Sequence, residues 1–166
     1  MSILDIPAIV SVRRNHALEH ATMHVLARHH QTLRLVGRSS LGGFHIYGQV
    51  DTEALASAAS EALARLQNGE RELAVHPRCG TNLALAGVLA GLSTFGVMSG
   101  RSRSKVDKLP QVVLAATAAI LIAQPLGGWV QSRITTTPNV NGIFIENITR
   151  QERGGMIAHY VKIVEE

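Results

Sequence analysis

The organisation of this chain is decided by an uncharged stretch at residues 81–100, which reads TNLALAGVLAGLSTFGVMSG. A second uncharged stretch follows at residues 109–130 and reads LPQVVLAATAAILIAQPLGGWV. A helix rises about 1.5 Å per residue, so each stretch is long enough to cross roughly 30 Å of hydrocarbon. The polar loop between them, RSRSKVDK, cannot be buried. We therefore predict a two-helix transmembrane hairpin.

The alternative is a pair of buried helices in a soluble core. A helix that is apolar on every face needs cover on every face, and a chain of 166 residues has few left to provide it. Small residues also recur at four-residue spacing, as in Gly87 with Gly91 and Ala115 with Ala119, which lets membrane helices approach closely. The expected partners are the lipid bilayer and either other membrane subunits or a second copy of the chain.

The flanking segments predict an α+β domain that the hairpin interrupts. We expect residues 1–80 to form a soluble α+β part, residues 81–131 the hairpin, and residues 132–166 a β-hairpin that completes a small antiparallel sheet with two helices. The predicted helices, at residues 9–30 and 52–66, follow apolar periodicity and capping residues. The predicted strands are residues 33–36, 44–50, 72–75, 142–148 and 156–164, with turns at residues 37–40 and 152–155.

The charge pattern excludes one class of partner, and the lack of a visible signal peptide favours one location. The net charge of +4 is spread along the chain without interleaved aromatic residues, so no nucleic-acid surface is indicated. Basic residues occur in the loop and on the opposite flanks, and the chain shows no cleavable signal peptide at its start. We expect a multi-pass protein of the cell (inner) membrane with its soluble domain in the cytoplasm.

A possible chemical centre lies in the first predicted helix, where residues 16–20 read HALEH. Residues four apart share a helix face, so His16 and His20 can bind one ion. Glu19 lies about 60° from His16 around the helix, where it can hold a metal-bound water. This is the inverted H-x-x-E-H form of the zinc-hydrolase motif, in which the glutamate is the general base. We predict zinc, or another divalent metal, at this helix.

A further ligand is needed, since catalytic zinc has three protein ligands and one open position. The segment HPRC at residues 76–79 offers the best candidates. Cys79, the single cysteine, is the first choice because a thiolate binds zinc strongly, and His76 is the second. His24 is the third choice, because it is two helical turns from His16 and side chains that far apart point away from a shared ion. We expect His45 to be structural, and His29, His30 and His159 to lie at the surface.

The motif resembles two groups that place H-x-x-E-H on a helix against an antiparallel sheet: the pitrilysin and mitochondrial-processing-peptidase family, and the S-ribosylhomocysteine lyase family. The resemblance implies that His16 and His20 bind metal and that Glu19 is the acid/base. Neither group has a membrane hairpin. The whole chain is also similar to an uncharacterised family of small bacterial membrane proteins with an HALEHAT-type helix and an HPxCGTN segment, here HPRCGTN at residues 76–82.

The sequence leaves three functions open. The first is a membrane-anchored, zinc-dependent hydrolase, most simply a peptidase, with Glu19 as general base. The second is a non-catalytic accessory subunit of a membrane complex, in which His16, His20, His76 and Cys79 close a structural site. The third is a structural membrane protein whose histidines are core residues.

Overall fold

The computed structural model describes residues 2–29, 33–100 and 104–166. It divides into two compact units. The sheet unit comprises Met1–His76 and Ser132–Glu166, and the hairpin unit comprises Pro77–Gln131.

The sheet unit is an α+β fold built on a four-stranded antiparallel sheet, as the sequence predicts. Its strands lie in the order β1, β2, β4, β3. The C-terminal hairpin joins the earlier strands through β2 and β4, where Phe44 is opposite Val161. The elements in chain order are α1 (Pro7–His29), β1 (Val36–Ser40), β2 (Gly43–Tyr47), α2 (Thr52–Gln67), β3 (Ile143–Arg153) and β4 (Met156–Glu165).

The core of this unit lies between the two helices and one face of the sheet. Side chains alternate along a strand, so Phe44 and Ile46 of β2 are fully buried there together with Leu18 of α1 and Leu55 of α2. Asp51 fixes the start of α2, because its side chain accepts hydrogen bonds from the first-turn backbone N–H groups at 2.9 and 3.0 Å. This packing holds α1 against the sheet.

Three local predictions are wrong, the first being the strand at residues 33–36, of which Val36 alone lies in a strand. Residues 37–40 form most of β1 rather than a turn, and the turn falls at residues 41–42. Polar residues suit this strand because it is at the sheet edge. Residues 71–74 form a 3₁₀ turn rather than a strand, and the carbonyls of Ala74 and Val75 accept hydrogen bonds from α1 side chains instead of from a neighbouring strand.

The histidine predictions also need one correction. His159 is fully buried, because it shares the inner face of β4 with Val161, and its Nε2 is 3.0 Å from Thr52 Oγ1. His29 is exposed, as expected. His30, predicted to end the first helix at the surface, lies outside the described residues.

The hairpin unit consists of α3 (Gly80–Ser99) and α4 (Leu109–Val130). The two helical segments Gly80–Ser99 and Val106–Thr135 are long and apolar enough to cross a membrane. Part of the predicted polar loop, residues 101–103, lies outside the described residues. A Cβ at Gly87 or Gly91 would have no heavy atom within 4 Å in the described structure, so this pair of glycines does not contact α4.

Polar side chains tie the two helices together at one end of this unit. Asn82 Oδ1 accepts a 2.6 Å hydrogen bond from Gln131 Nε2, and Asn82 Nδ2 donates to the Pro77 carbonyl at 2.9 Å. A Cβ at Gly127 would lie 2.1 Å from Asn82 Oδ1, so only glycine leaves room for this arrangement. Such a bond in apolar surroundings fixes the pairing of α3 with α4.

Candidate metal centre

The two motif histidines lie on one face of α1, as the four-residue spacing predicts. The ring centroids of His16 and His20 are 4.3 Å apart. His20 is 2% exposed, and His16 is half-buried. The helix therefore presents both imidazoles to one small volume.

Backbone carbonyls accept hydrogen bonds from one nitrogen of each ring. His16 Nδ1 is 3.0 Å from the Thr135 carbonyl oxygen, and His20 Nδ1 is 2.8 Å from the Ala74 carbonyl oxygen. A carbonyl can only accept, so each Nδ1 is the donor, and in the neutral ring Nε2 is then the nitrogen with the lone pair. Metal-binding histidines are held in this way, with the second ring N–H bonded to a carbonyl or carboxylate. Both rings thus have the tautomer that a metal ligand requires.

Among the described residues, one group could hold a metal ion: His16, His20 and Cys79. His16 and His20 belong to the sheet unit, and Cys79 belongs to the hairpin unit. Cys79 begins α3, and its Sγ accepts from the Thr81 backbone N–H at 3.4 Å. Two imidazoles and one thiolate suit zinc and leave a fourth position.

The other predicted ligands lie next to this group but outside it. The His76 ring is 5.7 Å from the His20 ring and 4.9 Å from the His24 ring, measured between centroids. His24 Nε2 donates to the Val75 carbonyl at 2.8 Å. These contacts hold His24 beside His76. Because its ring is next to that of His20, His76 is the next candidate for a metal ligand after the three residues above.

Glu19 is buried beside the histidines, with 6% of its surface exposed. Ser39 Oγ donates a short hydrogen bond to Glu19 Oε2. Burial raises the pKa of the Glu19 carboxyl, against the lowering effects of the Ser39 hydrogen bond and the nearby His16. A carboxyl whose pKa is raised and whose oxygen is oriented is suited to accept and return a proton.

Two residues that support Glu19 were not predicted. A Cβ at Gly37 would lie 1.9 Å from Glu19 Oε1, so the carboxylate occupies the space above this glycine. Ser39 lies two residues further along β1, on the same face. Their alternate spacing is the signal that could have found them, had residues 37–40 been read as a strand.

A protein-family model described as a domain of unknown function (DUF6391) matches residues 11–148. The chain belongs to the DUF6391 family. The matched DUF6391 region runs from α1 into β3 and includes His16, Glu19, His20 and Cys79. An uncharacterized protein of Picosynechococcus sp. (strain ATCC 27264 / PCC 7002 / PR-6) is 34% identical to this DUF6391 chain over 165 residues, covering 93% of the chain and 80% of the relative. No solved structure matches it.

Proposed function

We propose that this protein is a membrane-anchored, zinc-dependent hydrolase in which His16 and His20 bind the metal and Glu19 is the general base. The observation that carries the proposal is the pair of Nδ1–carbonyl hydrogen bonds, which orients both rings as metal-binding histidines are oriented. Histidines that merely fill a core have no need of the same tautomer at adjacent positions. The H-x-x-E-H spacing and the buried glutamate support the same function.

Each residue has a distinct part in this proposal. Zinc at such a site lowers the pKa of a water molecule and polarises a substrate carbonyl. Glu19 takes the proton of the attacking water and returns it to the leaving group. Ser39 holds the carboxylate of Glu19 in position through its hydrogen bond. Cys79 is the proposed third ligand, with His76 in reserve.

The apolar helices α3 and α4 support the anchoring part of the proposal. In this proposal residues 81–131 hold the protein in the cell (inner) membrane. Residues 1–80 and 132–166 form the soluble domain, which faces the cytoplasm. Substrates would be met at the membrane surface.

The decisive experiment measures metal content and hydrolysis in the same preparations. Full-length protein in lipid nanodiscs is compared with His20→Ala, Glu19→Gln and His29→Ala, the last being an exposed histidine on the same helix. Metal analysis should give one zinc per chain in all but His20→Ala. Cleavage of casein-derived peptides, followed by mass spectrometry, should be lost in His20→Ala and Glu19→Gln only. Zinc-loaded protein that cleaves nothing, or Glu19→Gln with normal cleavage, would refute the hydrolase proposal.

A second candidate function is a non-catalytic accessory subunit with a structural metal site. The position of His76 beside His20 favours it, because a fourth protein ligand would close the site to water. X-ray absorption of the zinc-loaded protein distinguishes the two. Three protein ligands and one oxygen support the hydrolase, whereas a full set of nitrogen and sulfur ligands supports the accessory subunit.

A further inference from the structure

Strand β1 is at the edge of the sheet, and its register shows which of its peptide groups face outward. It pairs with β2 alone among the described strands. Just before β2 in the chain, the Gly42 carbonyl accepts a hydrogen bond from the Ile163 N–H. Just after β2, the Gly48 N–H donates to the Ile157 carbonyl, and both distances are 2.9 Å. Bonded residues alternate along an antiparallel pair, so the even-numbered residues of β2 bond to β4.

The odd-numbered residues of β2 must therefore bond to β1. Their partners in the register are Ser40, Arg38 and Val36. The N–H and C=O groups of Gly37 and Ser39 consequently point away from the sheet, toward its open edge. These are the same two residues that contact Glu19 through their inner face.

The open edge also adjoins the metal-binding face of α1. At about 100° per residue, the order around the helix runs from the buried Leu18 through Glu19 to His16 and His20. Glu19 thus lies at the border between the core side and the metal side. Because Glu19 meets β1 at Gly37, a chain paired with the outer edge of β1 would run beside the two histidines.

We propose that the substrate is an extended polypeptide that adds to β1 as a fifth strand, bonded to the outward peptide groups of Gly37 and Ser39. This rests on the proposed function. Adjacent strands are about 4.8 Å apart, which places a substrate amide within reach of Glu19. Hydrolysis then forms one bond from the water oxygen to the carbonyl carbon and breaks the C–N bond. The proton held by Glu19 goes to the departing nitrogen.

The charge on β1 favours a substrate over a second copy of the chain at this edge. A symmetric antiparallel pair in which Gly37 of each copy lies opposite Ser39 of the other would place Arg38 directly opposite the Arg38 of the other copy. Like charges directly opposite each other destabilise strand pairing. A substrate strand meets no such repulsion. Recognition through the backbone would make the enzyme tolerant of substrate sequence and selective for unfolded segments.

The test is an N-methyl scan of a bound peptide. Zinc-loaded, full-length Glu19→Gln in nanodiscs is first used to select the tightest-binding peptide from a casein digest. Versions with one N-methyl group at each successive amide are then compared. Methylation at alternate amides should weaken binding at least tenfold, because those N–H groups face β1, and methylation at the intervening amides should change it less than twofold.

The outcomes separate the two proposals. Alternating sensitivity without cleavage by the unmodified protein would leave the edge assignment standing and refute the hydrolase. Cleavage with no alternation, or no peptide bound at all, would overturn the edge assignment. It would also be overturned if, without peptide, the amides of residues 36–40 became protected from hydrogen exchange as protein concentration rose, because that result would assign the edge to a second copy.

Discussion

The substitution Gly37→Ala tests whether the position of Glu19 matters for the reaction. The new Cβ would lie 1.9 Å from Oε1, 2.4 Å from Cδ and 2.8 Å from Cγ of Glu19. Ordinary contact begins near 3.4 Å, so the carboxylate must move by about 1.5 Å. A misplacement of about 1 Å can cost roughly 100-fold in rate. We therefore expect the rate of peptide cleavage to fall about 100-fold.

The same variant should keep its metal, because the three heavy atoms nearest to the new Cβ all belong to Glu19 and to neither motif histidine. Zinc content should remain one per chain, and the absorption spectrum of the cobalt-substituted protein should still show histidine and thiolate ligands. Ser39→Ala is the matched control: it removes one hydrogen bond to Glu19 and adds no bulk, so its loss of rate should be smaller. A folded Gly37→Ala variant that cleaves peptide at the unmodified rate would refute the role of this close approach.

Three further perturbations address the remaining parts of the molecule. Cys79→Ala should lower zinc affinity more than about tenfold in a chelator competition and remove the sulfur-to-metal absorption of the cobalt form; unchanged affinity would exclude Cys79 as a ligand. Gly127→Val should destabilise the detergent-solubilised protein by about 1–3 kcal/mol by displacing Asn82, whereas Gly91→Val, which meets open space, should not, and equal thermal stabilities would contradict this. Burial lowers the pKa of His159 below its ordinary 6.5, so the unfolded state binds the proton first and the unfolding free energy falls as pH drops below about 7. With metal chelated, His159→Gln should reduce the slope of unfolding free energy against pH. An unchanged slope would count against this role of His159.

The sequence predicts those elements whose pattern is set by their own residues. The two apolar helices are uncharged over their length, and β4 alternates buried and exposed side chains. The residues of strand β1 do not alternate between apolar and polar types, because its inner face meets the carboxylate of Glu19 rather than the apolar core. Its residues, VGRSS, therefore resemble a turn.

In the candidate site, too, some features are predicted by their own residues and others are not. His16 and His20 are predictable because spacing on a single helix brings them together. The two carbonyls that orient their rings belong to Thr135 and Ala74, which are far away along the chain. Backbone atoms of any residue type can serve in that role, so no pattern of amino acids marks them.

The connectivity of the sheet sets an order of events during synthesis. Strand β2 obtains its inner neighbour, β4, only after both apolar helices have left the ribosome. Until then the domain lacks its central strand pairing, and His16 lacks the Thr135 carbonyl that fixes its ring. Under the proposed function, a nascent chain would therefore reach the membrane before its metal-binding face is complete. Insertion would come first, and the chemistry would mature only in a protein that is already in place.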